Sequence, residues 1–178
     1  MIPGTQAMAD NGVIEKYCYK DSGDSCTKYG GLYQWDEAMQ YSTITGARGI
    51  CPAGWHIPSG EDWKVLEGAV DSNYGIGAGI WDQPFWIGFD DGKNLKSVHG
   101  WQPGVSNTDL FGFTALPGGY RFWSGNFFEV PSATHWWTSN KNGTDYADYL
   151  NFTFDHADGN FDHMAREYGY SIRCVRNN

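Results

Sequence analysis

The chain has 178 residues and a formal net charge of −9 at pH 7, and 17% of its residues are aromatic. So many aromatic residues exclude a disordered chain, and so acidic a chain lacks the basic surface that nucleic acids and anionic membranes require. No apolar run approaches the length of a membrane-spanning helix. We therefore expect a single folded domain over residues 1–178, with neither a nucleic-acid partner nor membrane insertion.

The first part of the chain predicts one strand and two helices. Alternation over Val13–Tyr19 predicts a strand, and near-helical spacing of apolar residues over Tyr33–Ser42 predicts a short helix. A clearer helix begins at Ser59, an N-cap candidate with Asp62 three positions later, as a capping box requires. Its apolar stripe consists of Trp63, Leu66 and Val70.

The second part predicts a long irregular region followed by strands. Residues 72–118 are rich in glycine and show little periodicity, which is typical of a functional loop region or of a segment with short strands that its periodicity does not reveal. Turn-forming pairs such as Asn142-Gly143 and Asp158-Gly159 then separate successive strands. The predicted strands are Tyr120–Val130, Thr134–Ser139, Tyr146–Phe154 and Tyr168–Val175. Helices first and antiparallel strands later indicate an α+β fold.

Four cysteines, an even number, favour an oxidising compartment. Cys18 and Cys26 bracket a polar turn that a short disulfide could close, which leaves Cys51 to pair with Cys174. The other two pairings and four free buried thiols are the alternatives. The residues after Met1 lack the basic and apolar segments of a signal peptide, so we expect export to be signalled elsewhere or the chain to be a fragment of a longer protein, and favour the fragment.

Known catalytic constellations are absent from the sequence, which contains no HExxH motif, nucleophile elbow or phosphate-binding glycine loop. Adjacent acids such as Asp90-Asp91 and Glu61-Asp62 rarely face one another as the carboxylates of a glycosidase must. The cluster of Asp155-His156, Asp158 and Asp162-His163 matches neither a zinc site nor an EF-hand, so a solvated hairpin tip is the better interpretation. We expect no enzymatic activity and no cofactor, with calcium as the one cation to test.

Several motifs in a fixed order resemble one family. They are Tyr17-Cys18-Tyr19, Cys26–Trp35, Cys51–Pro58, Trp63 with Leu66, Gly112–Arg121, Trp136–Ser139 and Gly169–Val175. Together they resemble the Fibrobacter succinogenes major paralogous domain family over nearly the whole chain. The resemblance implies a variant C-type-lectin-like fold with two helices, a small antiparallel sheet in which the terminal strands pair, and a long loop region carrying the ligand site. It also implies the Cys51–Cys174 disulfide and a further segment upstream of Met1.

Proteins with this fold include two groups of known activity, calcium-dependent lectins and formylglycine-generating enzymes. The sequence lacks the motifs of both. Animal C-type lectins bind calcium and sugar through Glu-Pro-Asn or Gln-Pro-Asp with Trp-Asn-Asp, whereas this chain has Asp82-Gln83-Pro84, Gln102-Pro103-Gly104 and Trp137-Thr138-Ser139. Formylglycine generation needs a cysteine pair near the end of the chain, where only Cys174 stands. A calcium-dependent carbohydrate-binding lectin and an accessory domain of a carbohydrate-active enzyme remain as alternatives.

The aromatic residues after Tyr120 exceed what a small sheet can bury, which favours a ligand-binding face. At least one residue of Trp136-Trp137 belongs to the core, and the alternation of Phe152 and Phe154 with polar residues is typical of a core face as well. We predict one face that binds a protein or glycan ligand on a cell surface, with aromatic hot spots and with acids and histidines for specificity. It comprises Phe122, Trp123, Phe127, His135, Asn140, Tyr146, Asp148, Phe152, Phe154, His156, Asp158, Phe161 and His163.

The resemblance also implies a variable protein of a diversity-generating retroelement. Such a system mutates adenines in Asn codons and never produces Glu, Lys, Met, Gln or Trp. None of these five occurs from Asn142 to His163, although a polar hairpin with aromatics would have the same composition. This predicts an extracellular protein displayed on a bacterial surface or a phage tail.

Overall fold

The computed structural model describes residues 1–177, which contain four α-helices and eight β-strands. The helices are α1 (Gly23–Tyr29), α2 (Trp35–Ala38), α3 (Gly60–Val70) and α4 (Asp91–Leu95). The strands are β1 (Trp55–His56), β2 (Phe85–Ile87), β3 (Tyr120–Arg121), β4 (Phe127–Phe128), β5 (Ala133–Asn142), β6 (Tyr146–Thr153), β7 (Gly159–Ala165) and β8 (Val175–Arg176).

A four-stranded antiparallel sheet forms the centre of the domain, in the order β2-β7-β6-β5. The β5–β6 hairpin turns at Gly143, whose φ of 66° lies in the left-handed region that favours glycine. Two smaller antiparallel pairs, β1 with β8 and β3 with β4, complete the strands. The mixed helix and sheet content with antiparallel pairing confirms the α+β class.

The central sheet separates two cores, because neighbouring side chains on a strand point to opposite faces. On one face Trp137 packs with Tyr149 and with Trp35 of α2. On the other, Trp136 packs against Trp63 of α3, with ring centroids 5.8 Å apart. Both members of the Trp136-Trp137 pair are therefore buried, one in each core.

Helix α3 begins at the predicted capping box. The Ser59 hydroxyl accepts a hydrogen bond from the Asp62 N–H, and the Asp62 carboxylate accepts one from the Ser59 N–H at 2.8 Å. Burial acts to raise the pKa of Asp62, but the bonds from Ser59 and from His56 hold it below its usual value. The start of α3 is thus set by local side-chain chemistry.

Two disulfides are present, and both predicted pairings are confirmed: Cys18 with Cys26, and Cys51 with Cys174. The second ties the loop before β1 to the segment before β8. Two disulfides are typical of a secreted or extracellular protein. The longest helix, α3, has 11 residues, and nowhere in residues 1–177 does a helix combine the length and hydropathy of a bilayer-crossing segment.

Several predicted elements differ from the structure. The strand predicted over Val13–Tyr19 is wrong, because only Tyr17 makes an isolated bridge, to Leu32. The strand predicted over Tyr120–Val130 is instead the β3–β4 hairpin, and within Tyr168–Val175 only residues 169–171 make single bridges before β8 begins. Four α-helices rather than two occur among the described residues, because α1 buries no side chain and α4 buries mainly polar ones, so neither has an apolar stripe.

Candidate functional site

The predicted binding residues lie in several places and do not form one face. The β3–β4 hairpin packs through Tyr120 on the core that contains Trp137, whereas α3 covers the opposite side of the sheet. Residues predicted from the hairpin and from β6–β7 therefore lie on different sides of the molecule.

Two predicted residues belong to the core, and the prediction is wrong for both. Phe152 has no exposed surface, and its ring meets Trp136 edge-on with centroids 5.4 Å apart. His135 is 6% exposed and stacks on the Tyr170 ring at 4.8 Å. Because burial disfavours the imidazolium, the pKa of His135 is lowered to about 3. Neither side chain is placed to contact a ligand.

The first exposed group is the aromatic end of the β3–β4 hairpin. We call it the hairpin patch, and it comprises Phe122, Trp123, Phe128 and Tyr168. Trp123 is 57% exposed and Phe128 is 44% exposed. The Phe122 ring lies edge-on to Tyr168, with centroids 5.1 Å apart. Phe127, also predicted for the binding face, is half-buried and packs on Tyr19 at 5.5 Å.

The second group is the β6–β7 turn, which carries the predicted residues Phe154, His156 and Asp158. The His156 imidazole stacks on the indole of Trp86 in β2, with centroids 3.6 Å apart and planes 11° apart. Its Nδ1 lies 3.4 Å from Asp158 Oδ1. The turn is therefore partly covered rather than a solvated tip. Within residues 1–177, no group of three His, Cys, Asp or Glu side chains converges on one point, at this turn or elsewhere.

The third group lines a cleft of about 340 Å³, which we call the sheet cleft. It lies between α3, β2 and the adjoining parts of β6 and β7. Its lining residues are Lys64, Trp81, Asp82, Gln83, Pro84, Phe85, Asn142, Asp148, Phe161, Asp162 and His163. The structure thus brings together three predicted residues, Asp148, Phe161 and His163. The predicted Tyr146 adjoins them, edge-on to the His163 ring at 5.7 Å.

Strand register creates the floor and wall of this cleft. Asp148 lies directly opposite His163 across the β6–β7 pair, and Phe161 lies opposite Phe85 across the β7–β2 pair. An acid, a histidine and two aromatic rings therefore meet on one surface, although they are far apart in sequence.

The start of α3 holds the inner edge of the sheet cleft. A Cβ on Gly60 would lie 3.0 Å from the Phe161 ring, so the helix approaches this ring closely. The side-chain oxygen of Asn140 accepts a hydrogen bond from the Gly60 N–H at 2.8 Å. Asn140, predicted as a ligand contact, thus fixes the helix, and Phe161 is half-buried.

Hydrogen bonds orient the polar groups of the cleft. Lys64 Nζ donates to Asp82 Oδ1 at 2.7 Å and to Glu61 Oε1 at 2.8 Å, and these bonds raise the pKa of Lys64. Asn142 Nδ2 donates to Asp148 Oδ1 at 2.8 Å. Burial raises the pKa of Asp148 although this bond acts to lower it. The only ammonium group in the lining is thus already paired with carboxylates.

Phe85 is the functional candidate that sequence reasoning did not identify. It is 58% exposed and has a φ of 71°, a conformation that bulky side chains rarely adopt and that costs about 1–3 kcal/mol. Such strain is typical of functional sites. The signal in the sequence is short: an apolar run, Phe85–Ile87, bounded by Pro84 and Gly88.

Comparison with known proteins gives one match. Residues 3–176 match the sequence profile of the family described as the Fibrobacter succinogenes major domain. No curated protein and no solved structure matches the chain. The matched range includes the sheet cleft, the hairpin patch and the β6–β7 turn.

Proposed function

Since the chain belongs to the Fibrobacter succinogenes major domain family, whose name states no activity, we propose its function from its surface: a non-enzymatic module that binds a protein or glycan ligand through the sheet cleft. The observation that carries this proposal is the meeting of Phe85 and Phe161 with Asp148 and His163 on a hydrogen-bonded sheet. Aromatic rings supply contact area at a small entropic cost, and a few placed polar groups fix the ligand's orientation.

The charges of the cleft favour a neutral or cationic ligand. Its lining carries the carboxyl groups of Asp82, Asp148 and Asp162, whereas Lys64 is already engaged by two carboxylates. An anionic polymer would meet repulsion here. Sugar hydroxyls or peptide donors would instead find carboxylate and amide acceptors beside an apolar ring.

As part of this proposal, we assign the fold to the C-type-lectin-like class. Support comes from α3 against one face of an antiparallel sheet and from the antiparallel pairing of β1 with β8. The long stretch between α3 and β3 contributes β2, one wall of the cleft, as the ligand-bearing loop region of that class would. With two disulfides, such a module suits display outside the cell, on a bacterial surface or a phage tail.

Diversification by a retroelement would act on this same surface. The segment Asn142–His163 spans β6 and most of β7 and includes Asp148, Phe161 and His163 of the sheet cleft. Sequencing the locus tests this part of the proposal. We expect an adjacent reverse transcriptase and a near-copy template that differs only at adenines, and a locus without either rules the mechanism out.

A screen on glycan and protein arrays, followed by three variants, tests the binding site. Phe85→Ala and Asp148→Asn should each weaken binding to an array hit by roughly tenfold or more, because they remove a contact at the centre of the cleft. Trp123→Ala is the matched control, an exposed aromatic outside the cleft, and should bind as the wild type does. The reverse pattern would transfer the site to the hairpin patch.

A further inference from the structure

Two carboxylates are buried without hydrogen-bond partners, away from the sheet cleft. Glu67 on α3 and Asp91 at the start of α4 have no exposed surface. None of their four side-chain oxygens has a hydrogen-bond partner of good geometry. The backbone N–H groups of Asp91 and Gly92 act to lower the pKa of Asp91, but burial outweighs them. Burying an unpaired carboxylate is among the costliest events in folding, because both its charge and its lone pairs lose water. A partner that supplies positive charge to both groups would remove this cost.

The two carboxyl groups reach one point from two helices. A Cβ on Gly159, the first residue of β7, would lie 2.7 Å from Glu67 Oε1 and 3.1 Å from Asp91 Oδ2. Glycine is needed there because a side chain would displace one carboxyl group. A backbone carbonyl lies close to the same helix start, since Asp158 O is 2.8 Å from where a Cβ on Gly92, the residue after Asp91, would be.

Other acids make this corner strongly negative. Burial acts to raise the pKa of Asp71, but four backbone N–H donors, among them those of Phe89 and Asp90, hold it below its usual value. The Asp71 carboxylate is thus ionised, and it acts in the same direction as burial, raising the pKa values of Glu67 and Asp91 further.

The nearby lysines are committed elsewhere. Lys64 Nζ binds the carboxylates of Glu61 and Asp82. Lys96 Nζ donates to the carbonyls of Thr153 and His156, at 2.6 Å each. Neither ammonium group reaches the buried carboxylates as a hydrogen-bond donor.

We propose that Glu67 and Asp91 together hold a calcium ion. Ca²⁺ accepts carboxylates in mono- or bidentate form together with backbone carbonyls, in a flexible geometry. Two carboxylates balance its charge and satisfy the four unpaired oxygens. Mg²⁺ fits less well, because it keeps several waters and these side chains have no contact with solvent.

The bound ion would connect three elements: α3 through Glu67, α4 through Asp91, and the start of β7. The segment between α3 and α4 contains β2, which carries Phe85 and forms one wall of the sheet cleft. Calcium would therefore hold Phe85 in place. Only this effect on Phe85 rests on the proposed function. Calcium binding itself can be measured without a ligand in the sheet cleft.

Equilibrium dialysis and thermal melting of the oxidised chain, in calcium and in EDTA, test the site. We expect one bound ion per chain and a Tm higher by roughly 5–10 °C when free Ca²⁺ is about a hundred times its Kd. Glu67→Gln and Asp91→Asn preserve side-chain shape and should abolish both effects. Asp10→Asn, which removes an exposed carboxylate of the N-terminal segment, is the matched control and should preserve both.

Two outcomes would overturn the proposal. Calcium binding that persists in both Glu67→Gln and Asp91→Asn would place the ion elsewhere on this acidic chain. A wild-type chain that binds no calcium would also reject it. A calcium-free wild type that has a higher Tm at pH 5 than at pH 8, with no such difference in Glu67→Gln or Asp91→Asn, would show that a proton rather than an ion neutralises Glu67 and Asp91. Neither readout depends on the sheet cleft, so failure here leaves the binding proposal standing.

Discussion

Acidification from pH 7.5 to pH 5 should destabilise the protein through His135. An imidazole in the unfolded chain has a pKa of about 6.5, whereas burial lowers the pKa of folded His135 to about 3. Between these values the unfolded chain binds the extra proton, so stability falls as the pH falls. The loss begins near pH 6.5 and ends near pH 3.

The two pKa values give the magnitude. Well below pH 6.5 the penalty grows by about 1.4 kcal/mol per pH unit, which amounts to about 2 kcal/mol at pH 5. Carboxyl groups whose pKa values are raised, such as those of Glu129 and Asp148, act in the opposite direction in this range. The effect must therefore be measured as a difference between two proteins that share those groups.

Urea unfolding of the wild type and of His135→Gln at pH 7.5, 6 and 5 provides that difference. The variant should be less stable at pH 7.5, but its free energy of unfolding should fall by about 2 kcal/mol less than that of the wild type between pH 7.5 and 5. Trp123→Ala, which removes an exposed side chain and no titratable group, is the control and should follow the wild-type pH dependence.

A wild-type pH dependence no steeper than that of His135→Gln would refute this reasoning. Glu129 Oε2 lies 3.6 Å from His135 Nε2, and its side chain is 42% exposed. If an imidazolium formed an ion pair with this carboxylate, acidification would cost the wild type no more than the variant. Equal pH dependence in the two proteins would show that Glu129 offsets the burial of the ring.

Three further substitutions test the core, the second disulfide and the helix cap. Phe152→Ala should lower the free energy of unfolding by about 3–5 kcal/mol and Trp123→Ala by no more than about 0.5 kcal/mol, as measured by thermal melting. Replacing Cys51 and Cys174 by serine releases a link between residues 123 positions apart and should cost about 4–5 kcal/mol in urea unfolding. Ser59→Ala should cost about 1 kcal/mol, with the melting temperature as readout.

Local chemistry explains which elements the sequence could predict. The Ser59–Asp62 capping box determines where α3 begins without help from the rest of the chain. The predicted strands Thr134–Ser139 and Tyr146–Phe154 correspond to β5 and β6, because each is long enough for its composition to be informative. By contrast, β2 has three residues and α4 has five, so tertiary contacts rather than periodicity define them.

Candidate sites were harder to predict, because they depend on which strands pair and which helices pack together. The adjacent acids Asp90-Asp91 and Glu61-Asp62 do not form facing pairs, whereas Glu67 and Asp91 come together from different helices over Gly159. Likewise, Phe85 lies opposite Phe161 only because β2 pairs with β7. Spacing along the chain carries no information about such contacts until the strand partners are known.

The aromatic residues divide between core and surface according to their partners. Tyr120 has ring contacts with Phe128, Tyr168 and Tyr170, so the hairpin patch continues the stack that begins in the core. Phe85 has no aromatic partner among residues 1–177, is more than half exposed and has a left-handed backbone. Packing therefore accounts for most of the hairpin patch but not for Phe85, which makes the sheet cleft the better site for a ligand.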